Sequence, residues 1–290
     1  GRERTVDCIE MTCLALGVDR AELMRDPAVL AIVNTNSPLQ LDIPMTEAVV
    51  ELAGSGQACC ITPFTLAGSM SPATIAGTLA QQTAEVLAVV TLAQIVRPGA
   101  PVMYGAFASN VDMQSGAPAL GTPEYTRMAM ASGQIARRLG IPFRSSNTTT
   151  SNCVDAQAAY ESVFSLWGAI MGGVNLLMHG AGWMEGGLHA SYEKMILDAE
   201  LLGMVEAFLE PIVVDADTLG FEAMQEVGPG GHFFGAAHTQ SRFKTAFHKP
   251  MLSDWRNYET WQEAGSPEVP AKANRIWKEM LAAYEPPPMD

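Results

Sequence analysis

The groups best placed to do chemistry in this 290-residue chain sit in glycine-rich stretches. In HGAGWMEGGLHA, His179 closes an apolar run, and Trp183 and Glu185 follow within the loop. Chain ends of that kind are where barrel enzymes carry reactive groups, although a hydrogen-bonded core histidine is the competing reading for His179. Glycines let the backbone approach a ligand closely, and a loop tryptophan is poorly explained by core packing. In GPGGHFFGAAH, His232 and His238 raise the question of a metal, but their spacing matches no common zinc pattern. Cys153 has no matched histidine and aspartate to make it a nucleophile. Glu85 lies in an apolar helical run, where it needs either a structural partner or a cavity.

These groups are held by a regular alternation of short apolar runs and helical segments. Residues 28–34, 57–62, 101–106, 141–145, 174–178 and 211–214 read as six strands. Helical runs cover 2–24, the stretch opened by Ser71-Pro72 and closed by Arg97-Pro98-Gly99, the stretch from Thr122-Pro123 to Gly140, 155–171 and the run from Ser191 to about Phe208. After about residue 226 the rhythm breaks, and helices are expected at 238–247 and 268–284. Alternating strands and helices argue for a parallel α/β sheet. No strand is followed by G-x-G-x-x-G, which disfavours an open nucleotide-binding sheet and an S-adenosylmethionine-dependent enzyme. Long loops rich in glycine, aromatics and acids after strand ends favour a (β/α)8 barrel, with six βα units visible. The division expected is a barrel portion at 1–225 and C-terminal loop and helices packed on it at 226–290.

Composition supports one large buried core, at 48% hydrophobic and 17% charged residues. A formal net charge of -14 without a basic cluster argues against a nucleic-acid partner. The longest apolar stretch, Ile75 to Val96, carries Gln81, Gln82, Glu85 and Gln94, so it reads as a buried helix and not a membrane span. Five cysteines (Cys8, Cys13, Cys59, Cys60, Cys153) form neither a zinc ribbon nor a disulfide framework, and no signal peptide opens the sequence. A reducing cytoplasm is the simplest compartment. The apolar composition is compatible with a homo-oligomer.

Seven collinear segments resemble the trimethylamine methyltransferase family: NTNSPLQLD, TPFTLAGSMSPATIAGTLAQQTAEVLA, RPGAPVMYGAF, DMQSGAPALGTPEY, DAQAAYES, HGAGWMEGGLHASYEKMILDAE and VGPGGHFFGAAHT. The resemblance implies a (β/α)8 barrel that passes a methyl group from a methylated amine to the corrinoid of a separate protein. The corrinoid is carried by that partner, and no tightly bound cofactor or metal is expected. Founding members carry pyrrolysine, expected near TTTSNCVDAQ (148–157), where nothing stands in for it. The chain therefore resembles members without pyrrolysine, some of which demethylate glycine betaine or related quaternary amines. Family members are usually longer, so the resemblance places the first two barrel strands before Gly1, unless strands escape notice in the sequence.

A quaternary ammonium leaves as a neutral amine, so the implied chemistry needs binding, orientation and exclusion of water more than an acid. Its recognition calls for aromatic faces, for which Phe64, Tyr104, Phe107 and Trp183 are the candidates. Core or rim packing is the alternative for Tyr104 and Phe107. Charge complementarity would come from Glu185, Asp112 and Glu124, with loop capping the alternative for Asp112 and a helix first-turn role for Glu124. His179 would bind a betaine carboxylate when protonated, or hold an aromatic wall. Gln157, with Asn147 and Asp155, flanks the pyrrolysine region. His179, Glu185 and Asp112 are thus the expected catalytic groups. Trp183, Tyr104, Phe107, Phe64, Glu124 and Gln157 are the expected substrate contacts. The rival of a different class is a non-catalytic barrel fragment that acts only by association.

Overall fold

The computed structural model describes residues 1–289. The chain opens with α1 (Arg2–Leu16) and α2 (Arg20–Arg25). The continuous helix expected over 2–24 is broken, because Gly17 takes a left-handed φ of 67° and Asp19 caps a new start by accepting from the Glu22 amide. Five βα-type strands then alternate with helices. They are β1 (Leu30–Val33), α3 (Ile43–Gly54), β2 (Ala58–Ile61), α4 (Ile75–Val96), β3 (Val102–Gly105), α5 (Pro123–Leu139), β4 (Phe143–Ser146), α6 (Ala156–Met171), β5 (Leu176–Met178) and α7 (Tyr192–Leu209). Side chains of Asp42, Thr74, Thr122, Asp155 and Ser191 cap the five helices α3 to α7. At α4 the start lies later than Ser71-Pro72. Thr74 is the cap, while the Ser71 hydroxyl pairs with that of Thr78 at 2.8 Å.

All five strands are parallel, and their spatial order repeats their chain order. An open doubly wound sheet reverses direction at a switch point. This sheet does not, and it curls as half of a βα barrel. The sixth strand expected at 211–214 is absent: these residues pair with nothing, and Ile212 is 91% exposed. The chain leaving α7 is instead drawn back along that helix. Glu200 accepts the amides of Leu252 and Ser253, each at 3.0 Å, and the helix Val269–Ala282 packs on α7. The helix expected at 238–247 is shorter, Ala237–Arg242.

Alternation along the strands sorts side chains onto two faces. Val33, Cys59, Ile61, Tyr104 and Phe143 face the helices and join Val49, Leu52, Val86 and Val89 in the main core. Burying each large apolar side chain contributes about 1.5–3 kcal/mol. The intervening residues Ile32, Cys60, Met103, Gly105, Arg144 and Ser146 line the concave face. Helix α4 is long and apolar enough to cross a membrane by length and composition, but here Gln82, Glu85, Val86, Val89 and Ala93 bury it against its neighbours. Glu85 has a structural partner set: it accepts from Thr35, Ser37, Gln81 and the Leu39 amide. Burial opposes its charge, and these hydrogen bonds outweigh burial, holding the carboxyl below its ordinary range.

Candidate active site

The C-terminal ends of four neighbouring strands bring one cluster together. Past β2 comes Phe64, past β3 comes Phe107, within β4 stand Arg144 and Ser146, and past β5 comes His179. A small sheet over the mouth fixes the first two loops, because Leu66–Ala67 pairs with Ser109–Val111. The rings of Phe64 and Phe107 lie 5.1 Å apart, Phe107 and His179 6.0 Å, and His179 and Trp183 5.2 Å in an edge-to-face arrangement. The cluster is half-buried on an open concave face. Two cavities, about 680 Å³ beside His238 and Arg242 and about 570 Å³ beside Cys8 and Met11, are lined by other residues.

The loop carrying Trp183 is pinned at several points. Asn147 Nδ2 donates to the Gly180 carbonyl (2.9 Å), Thr149 Oγ1 donates to the Trp183 carbonyl (3.0 Å), and Asp198 accepts the Gly182 amide (2.8 Å). Asp198 also forms a fully buried pair with Lys194, 2.6 Å apart. The 148–151 loop is held in turn by Glu161, which accepts the amides of Thr150 (2.7 Å) and Ser151 (2.9 Å). Two non-glycine residues here, His179 and Glu185, have φ of 51° and 50°. Such conformations cost about 1–3 kcal/mol each and concentrate where geometry serves a ligand.

Arg144 went unnoticed in the sequence, although a cation inside a short buried strand was the available signal. It is 1% exposed, and its Cζ lies 5.4 Å from the centre of the Phe107 ring. Its Nη2 lies 3.3 Å from His179 Nδ1, which Ser146 Oγ also contacts at 2.8 Å. A guanidinium can only donate, so Nδ1 is the acceptor and Nε2 carries the proton. Burial, and then the charge of Arg144, lower the His179 pKa to about 4. His179 is therefore neutral near pH 7, which corrects the expectation of a protonated imidazole holding a carboxylate.

Tyr104 does not join the cluster. It is buried on the helix-facing side, where its hydroxyl meets Gln82 Nε2 (3.1 Å) and Thr83 Oγ1 (2.9 Å) of α4. Glu185 is exposed at a turn, with its amide donated to the Ser151 carbonyl. Asp112 is exposed and caps its own loop through Ser115 and Gln114. Glu124 is exposed in the first turn of α5, and Gln157 donates to Glu161 along α6 (2.7 Å). His238 Nε2 meets the Asp217 carbonyl at 3.0 Å, and the His232 ring lies 6.3 Å from that of Phe234. All five cysteines are free thiols.

A half-barrel of parallel βα units with an aromatic cluster at its C-terminal mouth defines the class of an α/β-barrel protein. The family model for trimethylamine methyltransferase (MTTB) matches residues 1–290, and the chain belongs to that family. It is 39% identical to a glycine betaine methyltransferase of Desulfitobacterium hafniense strain Y51, across 100% of this chain and 60% of that protein. It is 30% identical to trimethylamine methyltransferase MttB2 of Methanosarcina mazei, across 94% of this chain and 55% of the relative. The same identity holds to trimethylamine methyltransferase MttB of Methanosarcina thermophila, across 94% and 56%. The chain thus spans from 55% to 60% of the length of these curated relatives.

Proposed function

We propose that the chain is part of a methyltransferase that takes a methyl group from a quaternary amine, a betaine such as glycine betaine, and delivers it to the corrinoid of a separate protein. The observation that carries this reading is the run of rings Phe64–Phe107–His179–Trp183 at the strand ends. Aromatic faces attract a quaternary ammonium through their quadrupoles and offer it no proton. The similarity to a glycine betaine methyltransferase supports the choice of substrate. The free thiols suit a reducing, cytoplasmic setting.

His179 in the ring cluster is held neutral and is no acid near pH 7, which suits a quaternary substrate because it leaves as a neutral amine without taking a proton. The corrinoid, when docked, supplies a strongly nucleophilic cobalt as methyl acceptor. The chain's own part is positional: the rings orient the ammonium, the neutral His179 keeps the wall in place through Ser146, and the pinned 179–190 loop holds Trp183 at the edge of the cluster.

The test is demethylation of a panel of betaines and methylamines by the protein, with free cob(I)alamin as acceptor. Turnover of a betaine supports the reading. A folded sample that neither turns over nor binds any quaternary amine sinks it. That result would favour the rival of an associating scaffold.

A further inference from the structure

We infer that Arg144 is the anion reader of this site, making it select zwitterionic quaternary amines and reject bare quaternary cations. The inference rests on the proposed function and adds the chemistry that would set its specificity.

The observation is an unpaired buried charge. Arg144 is 1% exposed, yet its Nε and Nη1 have no hydrogen-bond partner. Among the described residues, no carboxylate forms an ion pair with it. A buried guanidinium with no counter-charge and two unpaired nitrogens is costly, and the cost is reduced by an anion that accepts from its free N–H groups. The guanidinium also stands over the edge of the aromatic run, 5.4 Å from the centre of Phe107.

These two features impose a rule on the ligand. A cation settling on the Phe107 and Trp183 side meets the like charge of Arg144 at close range and is repelled. A molecule carrying a carboxylate one methylene away from its ammonium cancels that charge while its methyl groups face the rings. Glycine betaine satisfies this rule, whereas tetramethylammonium and choline do not.

The experiment measures, by calorimetry, the affinity of the protein for glycine betaine, choline and tetramethylammonium, in the natural chain and in Arg144→Met and Arg144→Lys. The natural chain is expected to prefer glycine betaine by about 10–100-fold, the range that a charge-assisted bidentate contact supplies. Arg144→Met is expected to lose that preference and to bind tetramethylammonium no less tightly than the natural chain. Arg144→Lys keeps the charge without the planar fork and should fall between them. Equal affinity of the natural chain for all three ligands overturns the inference and leaves the proposed function standing, and needs no variant. Equal loss for every ligand in both variants, with folding intact by circular dichroism, assigns Arg144 to structure and also overturns it. No affinity for any quaternary amine in the natural chain removes the proposed function, and the inference with it.

Discussion

Ser146 Oγ donates to Nδ1 of His179 across 2.8 Å, and Arg144 Nη2 approaches the same nitrogen at 3.3 Å. A lone pair so engaged cannot accept a proton without losing the Arg144 contact, reversing the one to Ser146 and facing the guanidinium. Burial first, and Arg144 second, therefore lower the pKa from 6.5 to about 4. In the unfolded chain the imidazole returns to 6.5. Between those values the unfolded chain binds the proton and the folded chain does not, so this group's contribution is complete above pH 6.5 and declines as pH falls towards 4. Heteronuclear NMR should show His179 neutral down to about pH 5, and His179→Gln should flatten that part of the stability profile. Titration of His179 near its ordinary value in the folded protein would contradict the arrangement.

Trp183 and Glu185 are close in sequence but unequal in place. The Trp183 ring meets His179 at 5.2 Å, whereas the Glu185 side chain is exposed and makes no hydrogen bond. Loss of a desolvated cation–π contact worth about 1–2 kcal/mol predicts that Trp183→Ala weakens betaine binding roughly 5- to 30-fold. Glu185→Gln should change it less than about twofold, as exposed charges act weakly. Calorimetric titration of both variants decides the matter, and the reverse ranking would move the site outward to the acid.

The sequence pattern made the five paired strands and most helix starts legible because they rest on local signals. Caps such as Thr122, Asp155 and Ser191 act within one turn, and apolar runs mark strands buried on the helix side. The apolar run 211–214 misled because a strand also needs a neighbour, and none pairs with it. Tyr104 and Met103 are adjacent in sequence but face opposite sides, and only the register with Phe143 and Gly105 reveals which side is concave. Arg144 was hidden for the same reason. Its importance comes from what surrounds it on three other strand ends, which no window of sequence contains.

Gly133 of α5 lies against the end of α6, and a Cβ there would run into the Gly172 carbonyl. The atoms it would meet are all Gly172 backbone, so no side chain can swing away to relieve the clash. Gly133→Ala is expected to destabilise by about 1–3 kcal/mol or more, despite alanine's better helix propensity. Urea unfolding reads this directly. A variant as stable as the natural chain would show that the two helices sit farther apart.

The fully buried Lys194–Asp198 pair ties stability to the geometry of the mouth. Lys194 Nζ donates to both Asp198 oxygens at 2.6 Å and to Ser162 Oγ at 2.7 Å, while Asp198 also accepts the Gly182 amide just before Trp183. Removing either partner leaves an uncompensated buried charge, so Lys194→Met and Asp198→Ala should each cost about 3–5 kcal/mol. Replacing both charges, by Lys194→Met with Asp198→Asn, leaves an amide oxygen for Gly182 and removes the stranded charge. The double variant is therefore expected to be more stable than Lys194→Met alone by about 1–3 kcal/mol on urea unfolding, so a double-mutant cycle with Asp198→Asn as the second single variant should be strongly non-additive. Betaine affinity in the double variant should stay within about threefold of the natural chain, because the Gly182 anchor survives, whereas Asp198→Ala should weaken it further. Additive stability losses with no coupling would mean that the two charges do not meet as described.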